Sequence, residues 1–150
     1  MRAHQPDSAF VTPLLYASLC HSNLGDFAGV ADLFKHARIK VGLDQAGYVD
    51  SAGILAMWED TVIRYPDGTP RTKHVTTNAI VEFEGDVATA RSYYTVFQQV
   101  DDTPLQPIIA GRYHDRFELV DGAWRWAERD YTLVDLVGDL SRHLTMDVPR

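Results

Sequence analysis

The spacing of apolar residues divides the chain into a helical first part and a β-rich second part. Helix-like spacing occurs three times, around residues 12–25, 27–36 and 51–63. After the loop sequence YPDGTP the pattern changes to long segments rich in β-branched and aromatic residues, separated by turn residues. This order predicts an α+β fold, in which three N-terminal helices cover one face of a mainly antiparallel sheet.

Polar residues and Pro mark where the predicted helices begin. Thr12 and Pro13 suit the N-cap and first position of the first helix, and Gly25 suits its end. Asp26 can cap the second helix, and Asp50 or Ser51 the third. The segment ARIKVGL, between the second and third helices, predicts a short strand.

The segment AGRYHDRFELVDGAWRWAERDY, residues 110–131, predicts a hairpin in which a carboxylate interrupts an apolar row. A two-residue turn at Asp121-Gly122 would pair Val120 with Ala123. The pairs that follow would be Leu119 with Trp124, Phe117 with Trp126, Asp115 with Glu128, and Tyr113 with Asp130. The row therefore changes from apolar to acidic, which is typical of a packed floor that opens into a pocket wall.

Two interpretations of Asp115 and Glu128 remain open at this point. Two carboxylates placed together raise the pKa of one another, so one of them could keep a proton and donate it. Alternatively, Arg112, Arg116 or Arg129 could reach over and neutralise them as a structural ion pair.

The turn around Gly85 also allows two registers for the hairpin that precedes this one. A bulged three-residue turn would put His74 and Asn78 on one face with Tyr94. A tight turn would instead mate His74 with residues 91, 93 and 95. We prefer the bulged register, because its face combines small and polar residues in the manner of a cavity lining: His74, Thr76, Asn78, Ile80, Ala88, Ala90, Ser92, Tyr94 and Val96.

Composition narrows the functional classes. The chain of 150 residues predicts one domain over 1–150, with flexible tails at 1–10 and 146–150. A net charge of −7 disfavours nucleic acids and anionic membranes as partners. The single Cys20 excludes an internal disulfide and a Cys-based zinc cluster. Neither a signal peptide nor a membrane span is evident, which predicts a cytoplasmic protein. No cofactor or metal motif occurs, so we expect no metal and no cofactor.

Several segments together resemble the SnoaL-like, or polyketide-cyclase-like, branch of the nuclear transport factor 2-like superfamily. They are LGDFAGVADLF, TKHVTTNAIVEFEGDVATARSYYTVFQ, GRYHDRFELVDGAWRWAERDY and LVGDLSRHL. The resemblance spans Leu14 to Leu144 and implies a cone-shaped α+β barrel. It also implies a relation to scytalone dehydratase and the steroid isomerases.

The resemblance implies a site as well. Related dehydratases pair a His, matched here by His74, with an Asp near the end of the first helix. Asn23 stands at that Asp position, so the dyad is incomplete unless Asp115 or Glu128 supplies a carboxylate. We predict His74 and Asp115 as catalytic residues. The predicted substrate-binding residues are Tyr16, Asn23, Trp58, Asn78, Tyr94, Tyr113 and Glu128, with Tyr113 polarising a substrate oxygen.

Three functional hypotheses follow. The first is a cofactor-independent lyase or isomerase that moves protons on a small, apolar cyclic substrate. The second is a ligand-binding protein of the same fold without chemistry, which Asn23 favours. The third is a structural subunit similar to the small subunit of ring-hydroxylating dioxygenases. The resemblance further implies a homodimer through the outer sheet face, where Arg112, His114, Arg116 and Val120 would lie.

Overall fold

The computed structural model describes residues 8–42, 47–101 and 103–148. Over these residues the chain forms three helices and seven strands. The helices are α1 (Ser8–Leu24), α2 (Phe27–Leu33) and α3 (Ser51–Thr61). The strands are β1 (Arg38–Val41), β2 (Gly47–Val49), β3 (Thr72–Glu84), β4 (Val87–Gln98), β5 (Gln106–Val120), β6 (Ala123–Asp130) and β7 (Val134–Val137). None of the described helices is long and apolar enough to cross a membrane.

Two of the three predicted helix starts are confirmed. The Asp26 carboxylate accepts the Gly29 N–H at 2.9 Å, and Asp50 accepts the Gly53 N–H at 2.8 Å. The predicted start at Thr12 is wrong, because α1 already includes Ser8 and Pro13 lies inside it. Residues 8–10, expected in a flexible tail, therefore belong to α1, and residues 1–7 lie outside the described part.

The sheet has the strand order β2-β1-β6-β5-β4-β3. All pairs are antiparallel except β1 with β6. Three helices pack on this mainly antiparallel, strongly curved sheet, which does not close into a complete barrel. The last predicted strand divides in two, because the chain leaves β6 after Asp130 and returns as β7 to pair with β5.

A shift in the second hairpin overturns the predicted acidic pair. The expected pairs hold from Val120–Ala123 to Phe117–Trp126. One extra residue on β6 then changes the partners, so that Asp115 lies opposite Arg129 rather than opposite Glu128. The pairing of Tyr113 with Asp130 is wrong for the same reason, since His114 takes that position.

The first hairpin combines the two registers that the sequence left open. Glu84 pairs with Val87 across a two-residue turn, as in the tight alternative. A second shift between Thr77 and Ile80 then restores the partners of the bulged alternative. His74 consequently lies opposite Val96. Ile80 leaves the predicted interior face and is 56% exposed.

Aromatic residues fill the space between the helices and the sheet. Phe34, the residue that follows α2 as its C-cap, meets the ring of Trp126 edge-on at 4.8 Å between centroids. Trp58 of α3 meets Tyr131 edge-on at 6.2 Å. Such pairs contribute about 0.5–1.5 kcal/mol each beyond the burial of their area. They fix α2 and α3 against the end of β6, and the candidate site lies beside this cluster.

Candidate active site

Two adjoining cavities lie between the helices and the concave face of the sheet. The large cavity has a volume of about 420 Å³ and the small cavity about 80 Å³. Six residues line both: Trp58, Val62, His74, Tyr113, Tyr131 and His143. The rest of the large cavity is mainly apolar, and Met146 and Val148 of the predicted flexible tail form part of its wall. Residues 149–150 lie outside the described part of the chain.

Asn23 at the end of α1 holds His74 of β3 by two hydrogen bonds. Its Oδ1 accepts the backbone N–H of His74 at 2.9 Å and lies 2.8 Å from Nδ1 of the same residue. A backbone N–H can only donate, so the Asn23 atom that faces it must be the oxygen. Nδ1 must then carry the imidazole proton, and Nε2 of the neutral ring is left as an acceptor.

The surroundings of His74 favour its neutral form. Burial, with smaller contributions from the nearby His143 and Arg129, lowers the pKa of His74 from 6.5 to about 4. Asn23 offers no negative charge to oppose these effects. His74 is therefore neutral at pH 7, with Nε2 able to accept a proton from a group in the cavity.

Three tyrosines from different strands and their connections surround the same space. Tyr94 and Tyr113 stack with 4.3 Å between ring centroids, and Tyr131 meets Tyr113 edge-on at 5.7 Å. Burial raises the pKa of Tyr94 to about 12 and that of Tyr113 well above its ordinary value. The phenols therefore keep their protons and can act as hydrogen-bond donors to a ligand oxygen.

Asp115 does not line either cavity, which corrects its predicted role beside His74. Its carboxylate accepts two bonds from Arg129, at 2.6 and 2.8 Å, and one from the Trp126 indole at 2.8 Å. Both ionic side chains are almost completely buried, at 0% and 2% exposure. The structural ion pair considered in the sequence analysis is the arrangement that the fold adopts, and Arg129 is its partner.

Arg129 brings a positive charge to the small cavity, which it helps to line. Its guanidinium carbon lies 4.1 Å from the ring centre of Tyr113 and 4.5 Å from that of Trp126. Burial opposes the charge, but the Asp115 carboxylate together with Tyr131 and Tyr113 outweighs it, so the pKa of Arg129 is raised. The guanidinium is thus a permanent cation next to the tyrosines.

Four predicted binding residues line neither cavity: Tyr16, Asn23, Asn78 and Glu128. Tyr16 is 52% exposed, because it lies on the outward side of α1. Asn78 is an exposed residue at the shift in β3, where it adopts a φ of 54°. Glu128 bonds to Arg38 and Tyr48 near the β1 edge, at 3.3 Å in both cases. Trp58, Tyr94 and Tyr113 do line the large cavity, and Asn23 reaches it through His74.

Two lining residues, His143 and Tyr131, were not predicted from the sequence. His143 comes from the segment after β7, whose backbone joins the residues just after α3 through the bond from Ile63 N to His143 O and the end of α3 through the bond from Thr145 N to Thr61 O, each at 2.9 Å. Only its place in LSRHL could have drawn attention to it. Among the described residues no group of three His, Cys, Asp or Glu side chains could hold a metal ion.

The sequence matches the SnoaL-like domain over residues 6–130. The chain belongs to the SnoaL-like family. This confirms the resemblance drawn from its segments. A search of curated proteins found no significant match.

Solved structures agree on the fold. An NTF2-like protein with a cystatin-like fold from Novosphingobium aromaticivorans is 21% identical, with a TM-score of 0.66 over 83% of this chain and 79% of its own. The β subunit of a putative aromatic-ring-hydroxylating dioxygenase from that organism is 24% identical, with a TM-score of 0.67 over 87% of this chain and 90% of its own. A putative scytalone dehydratase, also from that organism, is 18% identical, with a TM-score of 0.63 over 81% of this chain and 80% of its own. At these identities the likeness establishes the fold alone.

Proposed function

We propose that this SnoaL-like protein is a cofactor-independent lyase or isomerase that transfers protons on a small, apolar cyclic substrate. One observation carries the proposal: Asn23 fixes the proton of His74 on Nδ1, which leaves Nε2 as an acceptor on a residue that lines both cavities. A general base needs such a free lone pair within reach of the substrate.

The reaction would begin with removal of a proton from a carbon next to a carbonyl group. His74 Nε2 takes the proton, and the Tyr113 hydroxyl donates a hydrogen bond to the carbonyl oxygen as negative charge develops there. The resulting imidazolium returns its proton to another carbon in an isomerisation, or to a departing hydroxyl in a dehydration. In either case the residue ends in its starting state and no cofactor is consumed.

The low pKa of His74 limits the substrates that this base can serve. A base with a pKa of about 4 removes protons only from activated carbons, such as one flanked by a carbonyl and an aromatic ring. The large cavity suits a substrate of that kind, because apolar side chains such as Ile54, Val96, Ile109 and Leu140 line it. A small fused-ring ketone meets both requirements.

Exchange of substrate protons with solvent provides the test. We would incubate the protein with 2-tetralone in D2O and follow deuterium incorporation beside the carbonyl by NMR. The wild type should accelerate the exchange, and His74→Ala should reduce the acceleration by about 100-fold or more. His114→Ala is the matched control, because His114 is exposed on the outer face of the sheet and should not affect the rate.

Binding measurements separate this function from its alternatives. If 2-tetralone and other fused-ring ketones bind but do not exchange, the protein is a ligand-binding module. The amide of Asn23 in place of a carboxylate favours this second candidate, because it leaves His74 a weak base. If no apolar ring compound stabilises the protein in thermal-shift experiments, the structural-subunit alternative applies.

A homodimer through the outer sheet face and a cytoplasmic location remain part of the proposal. His114 is exposed on that face, as are the apolar side chains of Tyr93 and Leu136, at 52% and 70%. These exposed apolar groups are compatible with a partner surface. Sedimentation velocity that shows only a monomer would remove the dimer from the proposal.

A further inference from the structure

His143 has one ring nitrogen that is closed off from its surroundings. Its Nδ1 is shielded from solvent and has no hydrogen-bond partner among the described residues. Nε2 of the same ring is not shielded in this way, and the residue lines both cavities. The imidazole therefore meets any occupant of the cavities through its Nε2 edge.

The shielded nitrogen determines where the proton of a neutral His143 lies. A buried N–H without an acceptor loses a hydrogen bond that it makes in water, and orphaned N–H groups are rarer in proteins than under-satisfied acceptors. Placing the proton on Nε2 avoids that loss, since the accessible nitrogen can donate to water or to a ligand. Burial lowers the pKa of His143 to about 4, so the ring is neutral at pH 7.

His74 has the opposite arrangement. Its proton is committed to Asn23 through Nδ1, and its Nε2 is the acceptor. Both rings line the same two cavities, and His143 is close enough to His74 to influence its pKa. One histidine thus presents an acceptor and the other presents a donor to the same space.

We propose that His74 and His143 form a complementary pair that binds one hydroxyl group of a cyclic ligand. The hydroxyl donates a hydrogen bond to Nε2 of His74, and its oxygen accepts a hydrogen bond from the Nε2–H of His143. The proposal rests on the proposed function in that His74 faces the ligand, and it names the polar group that the substrate carries.

The tautomers can be observed without a ligand and without any activity. In protein labelled with ¹⁵N histidine, two-bond and three-bond correlations from the ring carbons distinguish a proton on Nδ1 from one on Nε2. We expect two of the six histidines to stay neutral down to about pH 5. One of them should be protonated on Nδ1 and the other on Nε2. Two non-titrating rings with the same tautomer would overturn the proposal.

Three fluorescent probes of similar shape test the binding itself. 2-Naphthol is a donor and an acceptor, 2-methoxynaphthalene only accepts, and naphthalene does neither. The wild type should bind 2-naphthol about tenfold more tightly than naphthalene, with 2-methoxynaphthalene between them. Equal affinities for the three probes would overturn the proposal, and this comparison needs no variant.

Single substitutions then assign each half of the pair. In His143→Leu the advantage of 2-methoxynaphthalene over naphthalene should disappear, because the donor has been removed. In His74→Leu the advantage of 2-naphthol over 2-methoxynaphthalene should disappear, because the acceptor has been removed. His114→Leu, on the outer face, should change neither ratio. If these ratios hold while no ketone exchanges deuterium, the paired site stands and the proposed function fails.

Discussion

Asn23 governs the chemistry of His74 through a single oxygen atom. That oxygen accepts the backbone N–H and the Nδ1 proton of His74, so it fixes both the position of the residue and its tautomer. An amide does this without charge, and burial consequently lowers the pKa of the ring unopposed. A carboxylate at the same position would make the same contacts and add a negative charge.

Asn23→Asp should therefore raise the pKa of His74 from about 4, by about 1 to 3, since an opposite charge in contact favours the imidazolium. Titration of the His74 ring protons by NMR measures the change. The stronger base should also accelerate deuterium exchange of 2-tetralone at pH 7. Asn78→Asp makes the same substitution at an exposed position and should leave the His74 titration unchanged. An unchanged pKa in Asn23→Asp would contradict this account of the site.

Asp115 lies behind the site and is joined to it by its hydrogen bonds to Arg129, which lines the small cavity. The pair lies in the interior with its charges matched by two direct hydrogen bonds, and the Trp126 indole supplies a third. Breaking a buried pair costs more than the pair itself contributes, because the remaining charge has no partner.

Asp115→Asn should lower the free energy of unfolding by about 3–5 kcal/mol, since it leaves the Arg129 guanidinium buried without a counter-ion. Urea denaturation measures the loss. Glu128→Gln removes a carboxylate from the same hairpin, but the partner of Glu128, Arg38, is 67% exposed. That control should change the free energy of unfolding by less than about 1 kcal/mol. Equal effects in the two variants would show that the Asp115 pair is not buried as described.

At the scale of elements, irregularities in the strands decide which side chains face the cavity. The tight turn alone would place His74 on the outer face of the sheet. The shift at residues 78–79 returns its side chain to the inner face. The extra residue in β6 brings Arg129 opposite Asp115. Gly111 in β5 has a similar role, because the chain between β6 and β7 passes directly over it.

Gly111→Ala should destabilise the protein by about 1–3 kcal/mol through overpacking. An added Cβ would lie 2.3 Å from the carbonyl oxygen of Leu133 and 2.9 Å from the Tyr94 hydroxyl. Relieving these contacts requires β7 to move away from β5 or Tyr94 to move in the cavity. Thermal unfolding and the affinity for 2-naphthol would both report it. Gly47→Ala, where an added Cβ meets nothing within 4 Å, should be nearly neutral.

At the scale of the whole molecule, two buried neutral histidines couple folding to pH. The pKa values of His74 and His143 are about 4 in the folded protein, against 6.5 in the unfolded chain. Between these values the unfolded chain binds protons that the folded protein does not, so stability must fall as the pH is lowered. Each histidine can contribute a few kcal/mol over that range.

The free energy of unfolding should therefore decrease steadily from about pH 6.5 to pH 4. Urea denaturation at a series of pH values measures the slope. His143→Phe should reduce the slope, and the exposed His114→Gln should not. The aspartates with lowered pKa values, such as Asp130, add to the loss of stability only below about pH 5, because their unfolded value is 3.8, so the slope above about pH 5 reports the histidines. A flat profile between pH 4.5 and 6.5 would contradict the burial of the two rings.

The sequence by itself determined the fold class and most of the elements. The signals that were confirmed are local ones. They are the helix-like and strand-like spacing of apolar residues, the helix caps Asp26 and Asp50, and the turn at Asp121-Gly122. The order of the segments was also enough to predict the SnoaL-like family. Such features depend on neighbours within a few residues, so a pattern along the chain contains them.

Only the tertiary structure decided which side chains share the site. One extra residue in β6 replaced Glu128 by Arg129 opposite Asp115, and no local pattern marks a bulge of that kind. His143 reached the cavity because the last segment packs back onto α3, a contact between residues far apart in the chain. The helix end that carries Asn23 was predicted, but only its position against β3 gave it both hydrogen bonds of His74. Contacts of this kind depend on distant segments, and sequence periodicity does not determine them.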